Sequence, residues 1–496
     1  MKNQIKIGWG MRDIVPPRPC FIGGQMYMRI SEGVMDPITV TALTVDNGDD
    51  YVIFATLDLV VCRGGILDSV KEKLSIVCPS IDAEKLVISA THSHTTPVVS
   101  FDKDVEEVTP KEAGDVMNGR EAAEYIVERV VEAIVESFEK RMPGGFSYGY
   151  GFATVAHSRR VVYSRDTGIG AAQDSLHSVN GYCQMYGNTS DADFIGYESG
   201  TESFLNAMFT YDESGKLTGV VVNVPCPSQC SESRSVLSAD YWHEVRVAVK
   251  ENFGDVYVLP QCAAAGDLSP RQLHYLEAEK RRFKLKYGED TDVDMGRRRD
   301  IAERIVAGLV EVEAWACKDI KTEAVLRHSI LALDLERRLI SDEQYSDALV
   351  GLEEAKQIIP KQNGEWYNDF KKKTVKLSRI SRYEGIISKY NAQKRSTTIP
   401  TKCHVIRLGD IAFATNRFEL FMDYEQRIQA RSPAEQTFII QLAAVSGKSG
   451  GGYLPTQKGQ GNKGYSASIF DCEVDADGGA TLVEKTLEKL TELFNE

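Results

Sequence analysis

Lys85-Leu-Val-Ile-Ser-Ala-Thr-His-Ser-His-Thr-Thr-Pro97 begins as a buried strand and ends in two histidines one residue apart. Leu86, Val87 and Ile88 have the apolar, β-branched composition of a strand covered on both faces. The polar residues Thr91, His92, Ser93 and His94 follow at its carboxyl end, where open α/β sheets place their ligands. Side chains alternate along an extended segment, so His92 and His94 share one side. Neutral imidazole is both a common zinc ligand and a proton carrier near neutrality. Taken alone, the pair also reads as two hydrogen-bonded loop histidines.

Outward from this stretch the chain alternates strand and helix signals. Residues 38–45 and 51–57 flank Asp46-Asn-Gly-Asp-Asp50 as a hairpin, and Asp58 stands where the second strand stops. A helix over 66–76, broken by Pro79, leads into the strand before His92, which makes a βαβ unit of a mixed or parallel sheet. Residues 122–138 carry Ile126, Val130, Ile134 and Phe138 on one helical stripe, with Glu124, Glu128, Glu132 and Glu136 away from it. A second hairpin turns at Asp212–Lys216, and its return strand ends at Pro225-Cys-Pro227. A helix over 239–253 and a strand over 256–259 then lead to Gln261-Cys-Ala-Ala-Ala-Gly-Asp-Leu-Ser-Pro270. Residues 404–408 and 411–415 form another hairpin, 438–442 a short strand and 483–494 a closing helix. The expected fold class is α/β, with mixed β-sheets flanked by helices and a site at strand ends.

Residues 164–203, rich in Gly, Ser, Asp and Asn, read as a surface excursion of the kind that covers a site. Residues 274–400 change character. They carry long helical patterns and basic runs such as Arg297-Arg-Arg299 and Lys371-Lys-Lys373, which read as solvated faces, with 324–335 as a strand returning to the sheet. The expected organisation is one catalytic domain built from 1–273 and 401–496, with 274–400 as a mainly helical insertion.

Composition narrows the function classes. The 496 residues are 42% hydrophobic and 26% charged, ordinary globular values that argue against disorder. A net charge of -14 argues against a nucleic-acid-binding role and favours a small-molecule substrate. No apolar stretch reaches the ~18 residues of a transmembrane helix, and the amino terminus lacks a signal-peptide core. A soluble, cytoplasmic protein is expected. Ten scattered cysteines read as reduced thiols. Gly447-Lys-Ser449 matches the end of a phosphate-binding loop, but Leu442 stands where that motif needs glycine, so no nucleotide is implied.

In order and surroundings, the strand-end residues resemble the catalytic domain of the neutral/alkaline (non-lysosomal) ceramidase family. The pieces are Gly8-Trp-Gly-Met-Arg-Asp-Ile-Val-Pro16, Ala90-Thr-His-Ser-His94, Ser238-Ala-Asp240, Gly266-Asp-Leu-Ser-Pro270, Phe418-Glu419, Gly452-Tyr-Leu-Pro455 and Gly464-Tyr465. The resemblance implies a zinc-dependent amidase that splits an N-acyl bond. His92, Glu419 and Tyr453 match metal ligands, and His94 matches the second histidine beside the metal. Arg159 looks like the site arginine, and Tyr465 resembles a tyrosine near the reacting carbonyl. Ser269 falls on the serine of the Gly-Asp-x-Ser-Pro motif and reads equally as a cap of the turn before Pro270. Asp58, Asp240 and Asp267 are candidate second-shell acceptors that orient His92 or Arg159, or else caps of helices and turns.

The chain departs from the family at Cys226, which stands where the other zinc histidine precedes a proline. A His92/Cys226/Glu419/Tyr453 site is chemically reasonable for zinc. The alternatives are a changed metal preference, substitution by Cys230 or His243, or a pocket without metal. The family's larger members also carry a β-sandwich domain after the catalytic one, and this chain ends soon after Tyr465. The expected function is therefore metal-dependent cleavage, with zinc as the metal the resemblance implies, of an amide bond in a small or amphiphilic substrate rather than ceramide itself. Ester, lactone or sugar N-acyl hydrolysis and non-catalytic small-molecule binding are the competing readings.

Overall fold

A computed structural model describes residues 3–101, 111–168, 181–447 and 450–496. Residues 169–180 of the surface excursion and Lys448-Ser449 lie outside the described residues. The first half contains β1 (Lys6–Asp13), β2 (Thr39–Asp46), β3 (Tyr51–Leu57), α1 (Gly64–Val77), β4 (Leu86–Ala90), α2 (Gly119–Glu139), β5 (Met142–Phe152), β6 (Phe204–Asp212), β7 (Leu217–Val224), α3 (Tyr241–Phe253) and β8 (Tyr257–Cys262). The second half adds α4 (Val293–Ala316), β9 (Leu326–Glu336), α5 (Trp366–Gln393), β10 (Thr398–Leu408), β11 (Ile411–Thr415), α6 (Met422–Gln429), β12 (Gln436–Ile440) and α7 (Ala476–Asn495).

β1 to β8 make one mixed eight-stranded sheet in the order β8-β7-β6-β5-β1-β2-β3-β4. β3 and β4 pair in parallel, from Ile53 opposite Leu86 to Leu57 opposite Ala90, with α1 as the crossover. β7 and β8 form a second parallel pair, from Gly219 opposite Tyr257 to Val224 opposite Cys262. β9 to β12 make a separate four-stranded sheet in that order. The strand expected over 324–335 therefore joins this second sheet and not the one that carries His92.

Alternation along the strands explains the layers. Val40, Ala42, Ile53, Ala55, Leu57, Leu86 and Ile88 pack with Ile126, Val130 and Ile134 of α2 and with α1, α3 and α4. Their neighbours Leu43, Val45, Val52, Phe54 and Val87 point the other way, onto Ile406, Ile411, Phe413 and Phe438 of the second sheet. The outer face of that second sheet is covered by Leu482, Val483, Leu487 and Leu490 of α7. With both faces covered, the strands read as continuous apolar runs.

Within the 274–400 block, α4 belongs to this core. Ile305, Leu309 and Val312 join the main cluster, and Trp315 packs where a Cβ on Gly149 would stand. The expectation of a solvated face fails at Arg298, which is fully buried and paired with Asp36 at 2.6 Å and Glu244 at 2.9 Å. Arg297 is buried against Glu279 at 2.7 Å. Burial of a guanidinium in this way requires its carboxylate partners. Among the described residues, no helix is long and apolar enough to cross a membrane.

Candidate active site

The two histidines meet where the loops after β4 and β7 touch. Ser228 Oγ donates to the Thr91 carbonyl at 2.7 Å, and the His94 amide donates to the Ser228 carbonyl at 3.3 Å. β4 stops at Ala90, and His92 takes a left-handed backbone with φ 63°, so strand alternation is not what brings the rings together. A left-handed residue other than glycine is uncommon and is retained only where its surroundings hold it. Here the holder is the Val60 carbonyl, which accepts from His92 Nδ1 at 2.8 Å. A carbonyl only accepts, so Nδ1 carries a proton and Nε2 is the nitrogen turned toward the rest of the site.

His92 Nε2 faces Glu419 Oε2 at 3.3 Å and His94 Nε2 at 3.2 Å. The rings of His92 and His94 lie edge to face, with centroids 4.7 Å apart. His94 Nε2 is 2.8 Å from Gln229 Nε2, an amide donor, so His94 Nε2 is also an acceptor. Its other nitrogen, Nδ1, stands 3.5 Å from Glu232, whose carboxylate pairs with Arg271 at 2.9 Å. Burial, together with nearby His92, Arg29, Arg159 and Arg271, holds the His94 pKa well below the ordinary histidine range. Arg29, itself fully buried, donates to the His94 carbonyl at 2.6 Å. Gly24, with φ 91°, lies so close that a Cβ there would stand 2.6 Å from the His94 ring.

The far end of the chain supplies the other wall. Glu419 and Tyr453 lie opposite each other in a two-residue parallel ladder, and the tyrosine hydroxyl favours the ionised carboxylate. Burial opposes ionisation of Glu419, but His92, Arg159 and the Tyr453 hydroxyl outweigh it and hold its carboxyl below the usual range. Burial pushes the Tyr453 and Tyr465 phenols up, so both remain proton donors. Arg159 sits 5.4 Å and 6.0 Å from the ring centres of Tyr453 and Tyr465 and donates to the Gly266 carbonyl at 2.8 Å. It is 3% exposed, and its Nε has no hydrogen-bond partner among the described residues. Arg160 has a different task. It makes a two-point pair with Glu198 at 2.5 and 3.0 Å and donates to the carbonyls of Lys463 and Tyr465, which fixes the loop carrying Tyr465.

A strap covers both walls. Thr374 and Tyr367 of α5 accept from the amides of Met28 and Ile30 at 3.0 and 3.2 Å, in the loop that holds Arg29 and Gly24. Further along α5, Arg382 lies 6.0 Å over the Tyr465 ring and pairs with Asp471 at 3.2 Å.

The structure brings together His92, His94, Arg159, Glu419, Tyr453 and Tyr465. It does not bring Cys226. That thiol donates to the Val155 carbonyl at 3.3 Å in the main apolar core, and burial raises its pKa well above the ordinary value, so it is a neutral thiol. Cys230 lies in the same core, and burial pushes its thiol up too. His243 stands on α3. Ser269 Oγ accepts from the Arg271 amide and from Tyr186, both at 3.2 Å, as a turn cap does.

The three aspartates bind elsewhere than on His92 or the Arg159 guanidinium. Asp58 pairs with Arg246 at 2.8 and 3.1 Å and accepts from the Thr39 amide. Asp240 caps α3 and accepts from the amides of Cys230, Ser231 and Tyr241. Asp267 accepts from the Met422 amide at the start of α6, while its own carbonyl receives the Arg159 amide. Sequence reasoning passed over Gln229, Glu232, Arg29 and Arg271. The only signal for the first two was their place in the loop after β7.

Fold and site together define an α/β protein with a buried cluster of histidine, glutamate, arginine and tyrosine between its sheets and a helical strap. The chain is similar to the crystal structure of neutral ceramidase from Pseudomonas aeruginosa, with a TM-score of 0.64 and 14% identity over 99% of this chain and 75% of that chain. It is also similar to a ceramidase complexed with C2, with a TM-score of 0.62 and 13% identity over 99% of this chain and 76% of that one. These likenesses establish a ceramidase-like fold. No family model and no curated protein matches the chain.

Proposed function

We propose that the chain is a hydrolase that cleaves an amide (N-acyl) bond in a small or amphiphilic substrate with the help of a metal ion, and that zinc suits the donors. The observation that carries this reading is the convergence of His92, His94, Glu419 and Tyr453 side chains. His92 Nε2 faces a carboxylate oxygen at 3.3 Å and the Nε2 of His94 at 3.2 Å. Acceptors so placed repel one another unless a proton or a cation lies among them.

The donor set fits a metal held by His92, Glu419 and Tyr453, and it departs from the set that includes Cys226. Among the described residues, no three His, Cys, Asp or Glu side chains are spaced to share an ion by themselves, so the phenol of Tyr453 is needed as the third donor. When bound, the metal would supply Lewis acidity toward a carbonyl and a more acidic water.

The chain's own residues do the rest. Arg159 and Tyr465 donate to the carbonyl oxygen as it gains negative charge, in a dry setting where such donors are strongest. His94, kept neutral by burial, stands beside these groups as the proton carrier between the attacking water and the leaving nitrogen. Glu232 sits beside Nδ1 to favour the charged form between those two transfers. Val60 and Glu419 hold His92 in one orientation.

The seating of Cys226 in the core favours a second reading, a small-molecule-binding relative without hydrolysis. A panel of N-acyl compounds and esters, run with the wild type and with His92→Ala, separates the two. Turnover lost in the variant supports the hydrolase, and no turnover of any member of the panel supports the binding protein.

A further inference from the structure

We infer that Gln229, not Cys226, is the residue of the loop after β7 that faces the metal centre, and that its neutral amide keeps the centre at three protein donors with an open place. This rests on the metal-assisted reading above and specifies how this chain completes the site.

The loop is fixed at every residue around position 229. Cys226 is tied on both sides: its thiol donates to Val155, and its carbonyl accepts from the Tyr241 hydroxyl at 2.8 Å. Ser228 is tied to Thr91, and the Asp240 carboxylate grips the amides of Cys230 and Ser231 at 3.2 and 2.7 Å. The side chain of Gln229 is left to turn toward the histidines, where its Nε2 lies 2.8 Å from His94 Nε2. Gln229 is 2% exposed, and its Oε1 has no hydrogen-bond partner among the described residues. A buried carbonyl oxygen left bare is destabilising, and a ligand or water that reaches it relieves the penalty.

Two consequences follow from the chemistry of an amide. Its N–H lies against His94 Nε2 and turns that lone pair away from the metal, which leaves His94 outside the ligand set. Its oxygen is a neutral donor that zinc takes less readily than imidazole or thiolate. A centre with three protein donors keeps a place for water or substrate, whereas four protein donors close it.

The test compares zinc binding by the wild type, Gln229→His, Gln229→Glu and Cys226→Ser, with circular dichroism melts as the check on folding. Zinc per chain is measured by mass spectrometry after dialysis, and affinity by competition with a chromophoric chelator. The expected results are one zinc per wild-type chain, zinc held tighter by on the order of ten-fold in Gln229→His, and no change in Cys226→Ser. If Gln229→His does not fold, Gln229→Glu, which adds an anionic oxygen at the same reach, gives the same reading. A loss of zinc in Cys226→Ser, or an unchanged affinity in the folded position-229 variants, overturns the inference while leaving the metal reading intact. Absence of zinc from the wild type and from every variant overturns the metal reading and the inference built on it.

Discussion

Neighbouring arginines with opposite tasks give the sharpest test of how the site is built. Arg160 is fully exposed to neither solvent nor substrate: its side chain and that of Glu198 are 0% and 3% exposed, and their contact is two-pointed. Arg160→Met would leave the Glu198 carboxylate in a dry setting with Asn462 as a neutral partner at 2.9 Å. Breaking one side of such a pair typically costs about 3–5 kcal/mol. In a chain of this size that corresponds to a fall in melting temperature of about 4 °C.

Arg159→Met, by contrast, breaks no direct ion pair among the described residues, only a longer-range attraction to Glu419, and is expected to remove turnover with a smaller loss of stability. Urea unfolding of Arg160→Met, Glu198→Gln and the double variant gives the coupling energy directly. A coupling of about 2 kcal/mol or more is expected. Additive single effects, or an Arg159→Met protein that melts as early as Arg160→Met, would refute the division of labour between the two arginines.

Other outcomes follow from the same geometry. Tyr465→Phe is expected to lower kcat by about 100-fold with little change in melting, because it removes a donor to the developing oxyanion and keeps the ring over Arg159; steady-state kinetics checks this. Arg382→Ala is expected to lower kcat/KM by up to about 100-fold through the loop of Tyr465, although Arg382 touches no reacting atom in this account; unchanged kinetics would remove the strap from the mechanism. His328 and His404, hydrogen-bonded at 2.8 Å across β9 and β10, are pushed down to about 3, chiefly by burial. The folded pair stays neutral where the unfolded chain takes up protons, so its stabilising effect is complete above about pH 6.5 and is lost as pH falls toward 3. At pH 5 the loss amounts to at most about 4 kcal/mol. Melts from pH 7 to 5 should show it in the wild type and much less of it in His328→Asn/His404→Gln.

Much of the fold is legible in the sequence because burial on both faces leaves a continuous apolar run, as in Leu86–Ala90, and because the stripe of Ile126, Val130, Ile134 and Phe138 has a single helical period. The division into two sheets is not legible. Nothing local in residues 326–336 tells them to pair with residues 398–408 rather than with the strand before His92. The approach of His92, Glu419 and Tyr453 to one another was legible because a motif marks each of them. The choice between Cys226 and Gln229 was out of reach for a physical reason. In an irregular loop, which side chain turns inward is set by distant partners, here Val155, Tyr241 and the Asp240 carboxylate, rather than by a period. Arg298 misled in the same way, since a basic run on a helix looks solvated until Asp36 and Glu244 are seen beside it.

The central claim is that amide cleavage at the His92–Glu419 cluster depends on a bound metal ion. The most direct measurement is the rate of hydrolysis of an N-acyl substrate before chelation, after removal of metal, and after zinc is added back. The account predicts that the rate falls by on the order of 100-fold or more on chelation and returns with zinc. A rate indifferent to chelation would contradict it.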